Sequence, residues 1–450
     1  MKHYLRSGCQ VLCGLLLLLV SFTSLSDENK FTVNSMSDIG DYDPGDGICS
    51  IRRPLVIPRR CTLRAAIQEA NELEDPYVII LGSGRYTLAI AGAGEDAALT
   101  GDLDITDRLT IRGEGAAATF IDGAGLDRVF HIRGNIVVTL DKLTVTGGEA
   151  LDDPVFPGGM GGGVLVENRA FLRVEHSRIA GNKAVLGGGI GGSNAREIEI
   201  LYSEITRNLV QSKVTLNLAQ KDSVYASNGG ALYVYPDRAG DTTNIDISWS
   251  TISHNSCSVM TDANCLGGIS LEGCGDVPGG LLMSNSTVST NKGAGLSMLN
   301  CNGTIENSTI YSNTGYGIDY YSGSGSPGQF VTARNTIFAH NGIKDCNLVL
   351  GSWDFEYGHN LSSDDTCDLN PQVMDKINTD PKLYPLGTYE PIAPAIALTH
   401  HPRWGAPVID NGEDLLSITD DQEGFPRPLD GNQNDIDSHD MGAMRLSSSF

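Results

Sequence analysis

The sequence is poor in positive charge. Lys and Arg total 31 against 55 Asp and Glu, a formal net charge of −24. Loss of a leader holding Lys2 and Arg6 makes it more negative still. So acidic a chain is repelled by nucleic acid and by anionic membrane, and by acidic polysaccharide unless a cation bridges the two. Long apolar runs are missing as well: the stretch Val11 to Phe22 is too short to span a bilayer comfortably. No Ser/His/Asp nucleophile elbow, phosphate-binding Gly loop or Cys-x-x-Cys pair occurs, which removes the common hydrolase, nucleotide and zinc-ribbon readings. Through the middle of the chain apolar residues do not recur at three-and-four spacing, which excludes a helical repeat.

What is present begins with a leader. Lys2 and Arg6 precede the apolar run, and Ser24-Leu-Ser26 follows it, so residues 1–26 read as a secretory signal. Cys9 lies ahead of the run and Cys13 lacks small residues before it, so neither reads as a lipid anchor. Eight of the ten Cys remain in the mature chain, an even number in an exported protein, and disulfides are the default. The local pairings are Cys49 with Cys61, Cys257 with Cys265, Cys274 with Cys301, and Cys346 with Cys367; the alternative is free buried thiols.

From Gly161 to Asn341 one phrase occurs six times: a hydroxyl residue, an apolar residue soon after, then Asn. It stands at Ser177–Asn182, Ser203–Asn208, Ser250–Asn255, Ser286–Asn291, Ser308–Asn313 and Thr336–Asn341. Successive Asn are 26, 47, 36, 22 and 28 residues apart by subtraction. Small-residue steps follow the first five, as at Gly187-Gly-Gly-Ile190 and Gly229-Gly-Ala-Leu232. A period of about 20 to 30 residues that tolerates insertions means a solenoid, since insertions bulge outward from the stacked part. Alternation on both sides of each Asn means strands, and the Gly and Asn between them mean tight turns with positive φ. Turns stacked about 4.8 Å apart would let the Asn side chains hydrogen-bond as a ladder. The fold class expected is all-β: a single-stranded right-handed parallel β-helix of about ten coils.

Residues 27–75 read as a disulfide-closed loop and a capping helix. In Cys61-Thr-Leu-Arg-Ala-Ala-Ile-Gln-Glu-Ala-Asn71, Leu63, Ala66, Ile67 and Ala70 share a helical face, Thr62 caps the start and Asn71 ends it. Such a helix covers the open end of the first coil. The β-helix occupies 76–375. Residues 376–450 lose the repeat and gather Pro, giving an irregular C-terminal cap.

The segment Cys61-Thr-Leu-Arg-Ala-Ala resembles the Cys-Ser-Leu-Arg-Glu-Ala motif of the CSLREA-type domain of exported bacterial proteins. The resemblance continues through Tyr77–Leu88, Gly101–Thr106 and Leu109–Gly113. Near the C-terminus, Pro407–Asp410, Asp421–Gly431 and Asp440–Ala443 resemble the closing segment of choice-of-anchor Q β-helix proteins. The resemblance implies a pectate-lyase-like β-helix outside the cell and no agreed activity.

Two surfaces are candidates for chemistry. On the strand after the Gly step, Val164, Ile190, Ala231, Ile269, Leu296 and Ile318 point inward by alternation. The outward columns run through Leu165, Gly191, Leu232, Ser270, Ser297, Asp319 and through Glu167, Ser193, Val234, Glu272, Leu299, Tyr321. These columns show no Arg, Lys or His to act as a lyase base, and their carboxylates are too far apart for a hydrolase. Ahead of the hydroxyl positions stand His176, Tyr202 and Trp249 on successive coils, flanked by Arg178 and Glu204. Flat rings beside polar groups suit a glycan; the alternative is that these large side chains only cover one sheet face under a loop. His254, His340 and His359 each precede an Asn turn and read as solvated turn residues. Asp430, Asn432, Asn434 and Asp437 alternate like a calcium loop, though Asp435 replaces the expected Gly. Calcium is the one cofactor this suggests, with a hydrogen-bonded cap as the alternative.

The function expected is a secreted or surface-exposed β-helix that binds glycan without chemistry of its own. The alternative is a polysaccharide lyase acting on uronans, with its base drawn from the loop residues Lys213, Lys221 or Arg238. No nucleic acid partner and no membrane span in the mature chain are expected.

Overall fold

The computed structural model describes residues 29–53, 57–73, 76–151, 159–211, 229–236, 242–258, 265–274, 280–322, 330–349, 352–353, 358–389, 398–415, 418–428, 430 and 437–446. Successive coils visit the same directions in the same order: Phe171–Glu175, Arg178–Ala180, Ile190–Ser193, then Glu197–Leu201 back on the starting side. Each strand pairs in parallel with its counterparts on the coils before and after. The result is a right-handed parallel β-helix which, among the described residues, has a first sheet of eleven strands, a second of ten and a third of nine. A fourth, four-stranded sheet fills the corner between the second and third. It includes Ser256–Cys257.

Alternation sets which residues fill the interior. Ile79, Ile111, Leu140, Val174, Ile200, Ile247, Met283 and Ile305 stack along the first sheet, fully buried. Val145, Ile179, Ile205, Ile252, Val288, Ile310 and Phe338 do the same in the second. β-Branched side chains suit this surface because their restricted rotamers pack on a pleat at little entropic cost.

The Asn ladder forms at the corner after the second sheet. The backbone N–H and Nδ2 of Asn182 both donate to Oδ1 of Asn208, each at 3.0 Å. The pattern repeats through Asn255, Asn291, Asn313 and Asn341. Each Nδ2 spends its other proton on a carbonyl of an earlier coil, such as Val145 or Ile179. Asp345 closes the series by accepting from Asn341. Positive φ falls on the residue before each Asn, at Arg207, His254, Thr290, Ser312 and His340, and not on the Asn itself. The Asn must turn inward to reach its neighbours, so the preceding residue absorbs the left-handed bend.

The helix Leu63–Asn71 lies over the first coil with Leu63 through Ala70 all buried, and Thr62 Oγ1 accepts the Ala65 N–H at 3.2 Å. The four local disulfide pairs are all formed. At the other end, residues 373–376 stack on 359–362 as an irregular cap. The chain then runs back along the flank. Leu383, Ala406, Val408, Ile409, Met441 and Leu446 bury against Ile337, Ala339 and Leu361 on the outer face of the second sheet. Among the described residues no helix is long and apolar enough to cross a membrane. The leader 1–26 lies outside the described residues.

Candidate functional site

The corner between the first and second sheets is built on a second ladder. Ser177, Ser203, Ser250 and Ser286 each donate a backbone N–H to the next hydroxyl, at 3.1 to 3.3 Å. That fixes the residues just before them in one column: Lys142, His176, Tyr202, Trp249, Asn285, Asn307, Asn335 and His359. All have positive φ, between 43° and 58°. Position sorts His359 with this column, so it does not share the turn of His254 and His340.

The three rings stack as the spacing implies. His176 and Tyr202 lie 5.3 Å apart at 5°, Tyr202 and Trp249 5.0 Å apart at 12°. Stacking uses up the inner ring faces, so the strip offers solvent mainly edges and polar tips where flat faces were expected. Tyr202 is 36% exposed. Trp249 Nε1 donates to Asp420 Oδ1 at 3.2 Å, and Asn285 Nδ2 to the Asp420 carbonyl at 3.1 Å. The returning C-terminal segment therefore walls the strip at Trp249. Arg178 Nε holds Glu204 at 2.6 Å, with the carboxylate almost fully buried. Glu204 thus serves Arg178 and presents little to a ligand.

At the other end of the strip lie Asp141 and Glu175. His176 Nδ1 is 3.8 Å from Asp141 Oδ1 and 3.7 Å from Glu175 Oε1. The other Asp141 oxygen accepts from Arg112 Nε at 2.8 Å. The strands that lead into Tyr202 and Trp249 also carry Glu197, Asn244 and Asp246. With Leu282, Thr304 and Phe330 these line a groove of about 380 Å³ on the outer face of the first sheet. Burial raises the carboxyls of Glu197 and Asp246 above their usual range.

The third sheet differs from expectation twice. Leu232 pairs with Ile190 and Ile269, so Leu232 and Val234 face inward and Tyr233 and Tyr235 outward. Ala231 occupies the small-residue step, level with Gly189 and Gly268: its N–H donates to the Gly268 carbonyl at 3.0 Å and its carbonyl accepts from the Ile190 N–H at 2.9 Å. Tyr233 is buried under Met160, Leu165 and Leu186. Second, the outward columns extend to earlier coils: Leu165 pairs with His131 and that with Asp104, while Glu167 pairs with Arg133. Basic residues do stand on this face.

They are bound in ion pairs. His131 Nδ1 lies 3.0 Å from Asp104 Oδ1, and Nε2 lies 3.4 Å from Glu167 Oε1. Arg133 pairs with Asp96, and Arg128 Nε with Asp102 at 3.0 Å. Burial alone would lower the imidazole, but the Asp104 and Glu167 carboxylates raise it to about 9. Burial pushes Asp102 up to about 7, with Arg128 opposing and Asp104 and Asp127 adding to the rise. A general base must be unprotonated at working pH. His131 is instead a clamp across three successive coils.

The remaining expectations fall partly outside the described residues: Asn432, Asn434, Lys213, Lys221 and Arg238 do. Asp437 Oδ1 accepts the Asp430 N–H at 3.0 Å, which closes that loop by a hydrogen bond. His340 contacts Asp380, and His359 the Asn411 carbonyl.

The family model described as "Right handed beta helix region" matches residues 217–367. The chain is similar to the structure titled "Crystal structure of pectate lyase Pel9A" at 14% identity, covering 94% of this chain and 98% of that one, with a TM-score of 0.40. No curated protein matches it. What the chain is shown to be is a right-handed parallel β-helix.

Proposed function

We infer that the protein is exported and binds an extended polysaccharide without converting it. The observation that carries this reading is the alignment, on one side of the solenoid, of the exposed Tyr202 strip with the groove lined by Glu197, Asn244, Asp246, Leu282 and Phe330. Both run along the axis at one rung per coil, which suits a linear polymer. Their mixture of hydrogen-bonding groups and apolar carbon suits sugar hydroxyls and ring hydrogens. Support for export comes from the leader pattern in residues 1–26 and from the four disulfides, which belong to oxidising compartments. Glycan-array binding tests the reading: wild type should bind a restricted set of linear glycans, and Tyr202→Ala should lose them. No binding by wild type, or an unchanged profile in the variant, would sink it.

A lyase acting on uronans remains the second reading because Arg128, His131 and Arg133 do stand beside carboxylates on an outward face. Release of an unsaturated uronate, followed by ultraviolet absorbance over a panel of uronan polymers, decides between the two.

A further inference from the structure

We propose that Asp141, Glu175 and His176 form a binding site for a zinc-like divalent ion at the foot of the aromatic strip. Glu175 sits directly over Asp141 on the neighbouring strand of the first sheet. Two carboxylates stacked this way repel each other unless a cation lies between them. Arg112 answers only one oxygen, Asp141 Oδ2.

The other oxygen is the telling atom. Asp141 is 6% exposed, and its Oδ1 has no hydrogen-bond partner; nor has the buried Nδ1 of His176 that faces it. A buried polar atom left unpaired is costly, and native proteins rarely tolerate one without cause. The separations of 3.7 and 3.8 Å from Nδ1 to the two carboxylates are too long for hydrogen bonds. They are close to the roughly 3.4 Å between two ligands that share one tetrahedral ion at about 2.1 Å each. One oxygen of each carboxylate and the imidazole nitrogen all lie within 4.8 Å of one another.

The donor set selects the ion. One imidazole and two carboxylates suit zinc and its first-row neighbours, whereas calcium asks for six to eight oxygens. The Arg112 guanidinium fixes the Asp141 carboxylate with Oδ1 turned toward the site, the orienting role that outer partners play in metal centres. The Glu175 and His176 side chains are 35% and 27% exposed, so three protein ligands leave a position open to solvent beside Tyr202. The ion is proposed on its own geometry and stands apart from the glycan reading.

Calorimetric titration of the chelator-treated, full-length protein with ZnCl2, and separately with CaCl2, tests the site. Wild type should take up a single Zn²⁺ per chain in preference to Ca²⁺. His176→Asn places at this rung the residue that Asn285, Asn307 and Asn335 already supply at the same positive φ. It should therefore keep the melting temperature of the chelated protein and weaken zinc binding at least tenfold, as should Glu175→Gln. Co²⁺ bound to wild type gives a reading independent of any variant, a visible d–d spectrum of four- or five-coordinate intensity. Absence of saturable zinc binding, equal affinity for Ca²⁺, wild-type affinity in both variants, or a Co²⁺ spectrum no different from the aqueous ion would each overturn the proposal.

Discussion

A single buried asparagine does several jobs at once. Asn255 Oδ1 accepts two N–H groups from Asn208, while its Nδ2 donates to Asn291 and to the Ile205 carbonyl. Asn255→Ala strands those donors inside the corner, where water does not reach. The loss should be roughly 3 kcal/mol, the scale of leaving more than one buried polar group unpaired, read from urea unfolding. His131 gives a pH dependence. Its imidazole titrates near 6.5 when unfolded and at about 9 in the fold, so the folded chain holds more protons across that window. The stabilisation is complete below pH 6.5 and fades as pH rises toward 9. Unfolding free energy should fall over that range in wild type, and the fall should be shallower in His131→Gln. Asp102, raised to about 7, slopes the same way but from about 4 to 7, so the two are separable.

At the scale of elements, Arg64 ties the capping helix to the first coil, beside Gln68 and Asn71, which donate to the carbonyls of Ala98 and Asp104. Arg64 is fully buried, with Nε 2.6 Å from Asp38 and its Nη atoms on the carbonyls of Ala98, Gly101 and Asp102. Arg64→Ala leaves that carboxylate and those carbonyls without their cation, and should cost about 3 to 5 kcal/mol, as for other broken buried pairs. A melting curve measures it. The helix itself was legible, because the apolar face, the Thr62 cap and the Asn71 stop all sit within eleven residues. The faces of the third sheet were legible only in part. Ala231 is apolar enough to count as the first inward residue, yet it fills a place taken elsewhere by Gly189 and Gly268, and only backbone pairing reveals that Leu232 begins the strand. His131 and Arg133 were missed for a related reason: their coil lacks the hydroxyl-to-Asn phrase, so nothing in the sequence aligns it with the later ones.

Over the whole molecule, the solenoid is covered on one flank by its own C-terminal segment. Residues 398–446 place Gln422 on Ser250, Thr251 and Thr287, and His400 on Ser289. They also shelter Ile337 and Leu361. Ending the chain after residue 397 should bare that apolar strip while leaving the three-sheet core intact. Stronger binding of a hydrophobic dye and self-association on size exclusion, with the far-ultraviolet β signal retained, are the expected results. The sequence marked this segment as irregular through its prolines but could not say where it lies.

The sequence alone determined the winding of the chain, the Asn ladder and the ring column, and made the local disulfide pairings the default. All of these follow from local periodicity, because each coil contacts mainly the next. Only the tertiary structure decided that the rings spend their faces on one another, that His131 is clamped between carboxylates, and that Asp141 and Glu175 converge on His176. These depend on register between coils separated by insertions of unequal length, and on a returning segment whose contacts lie more than a hundred residues away, where no repeat in the chain can report them.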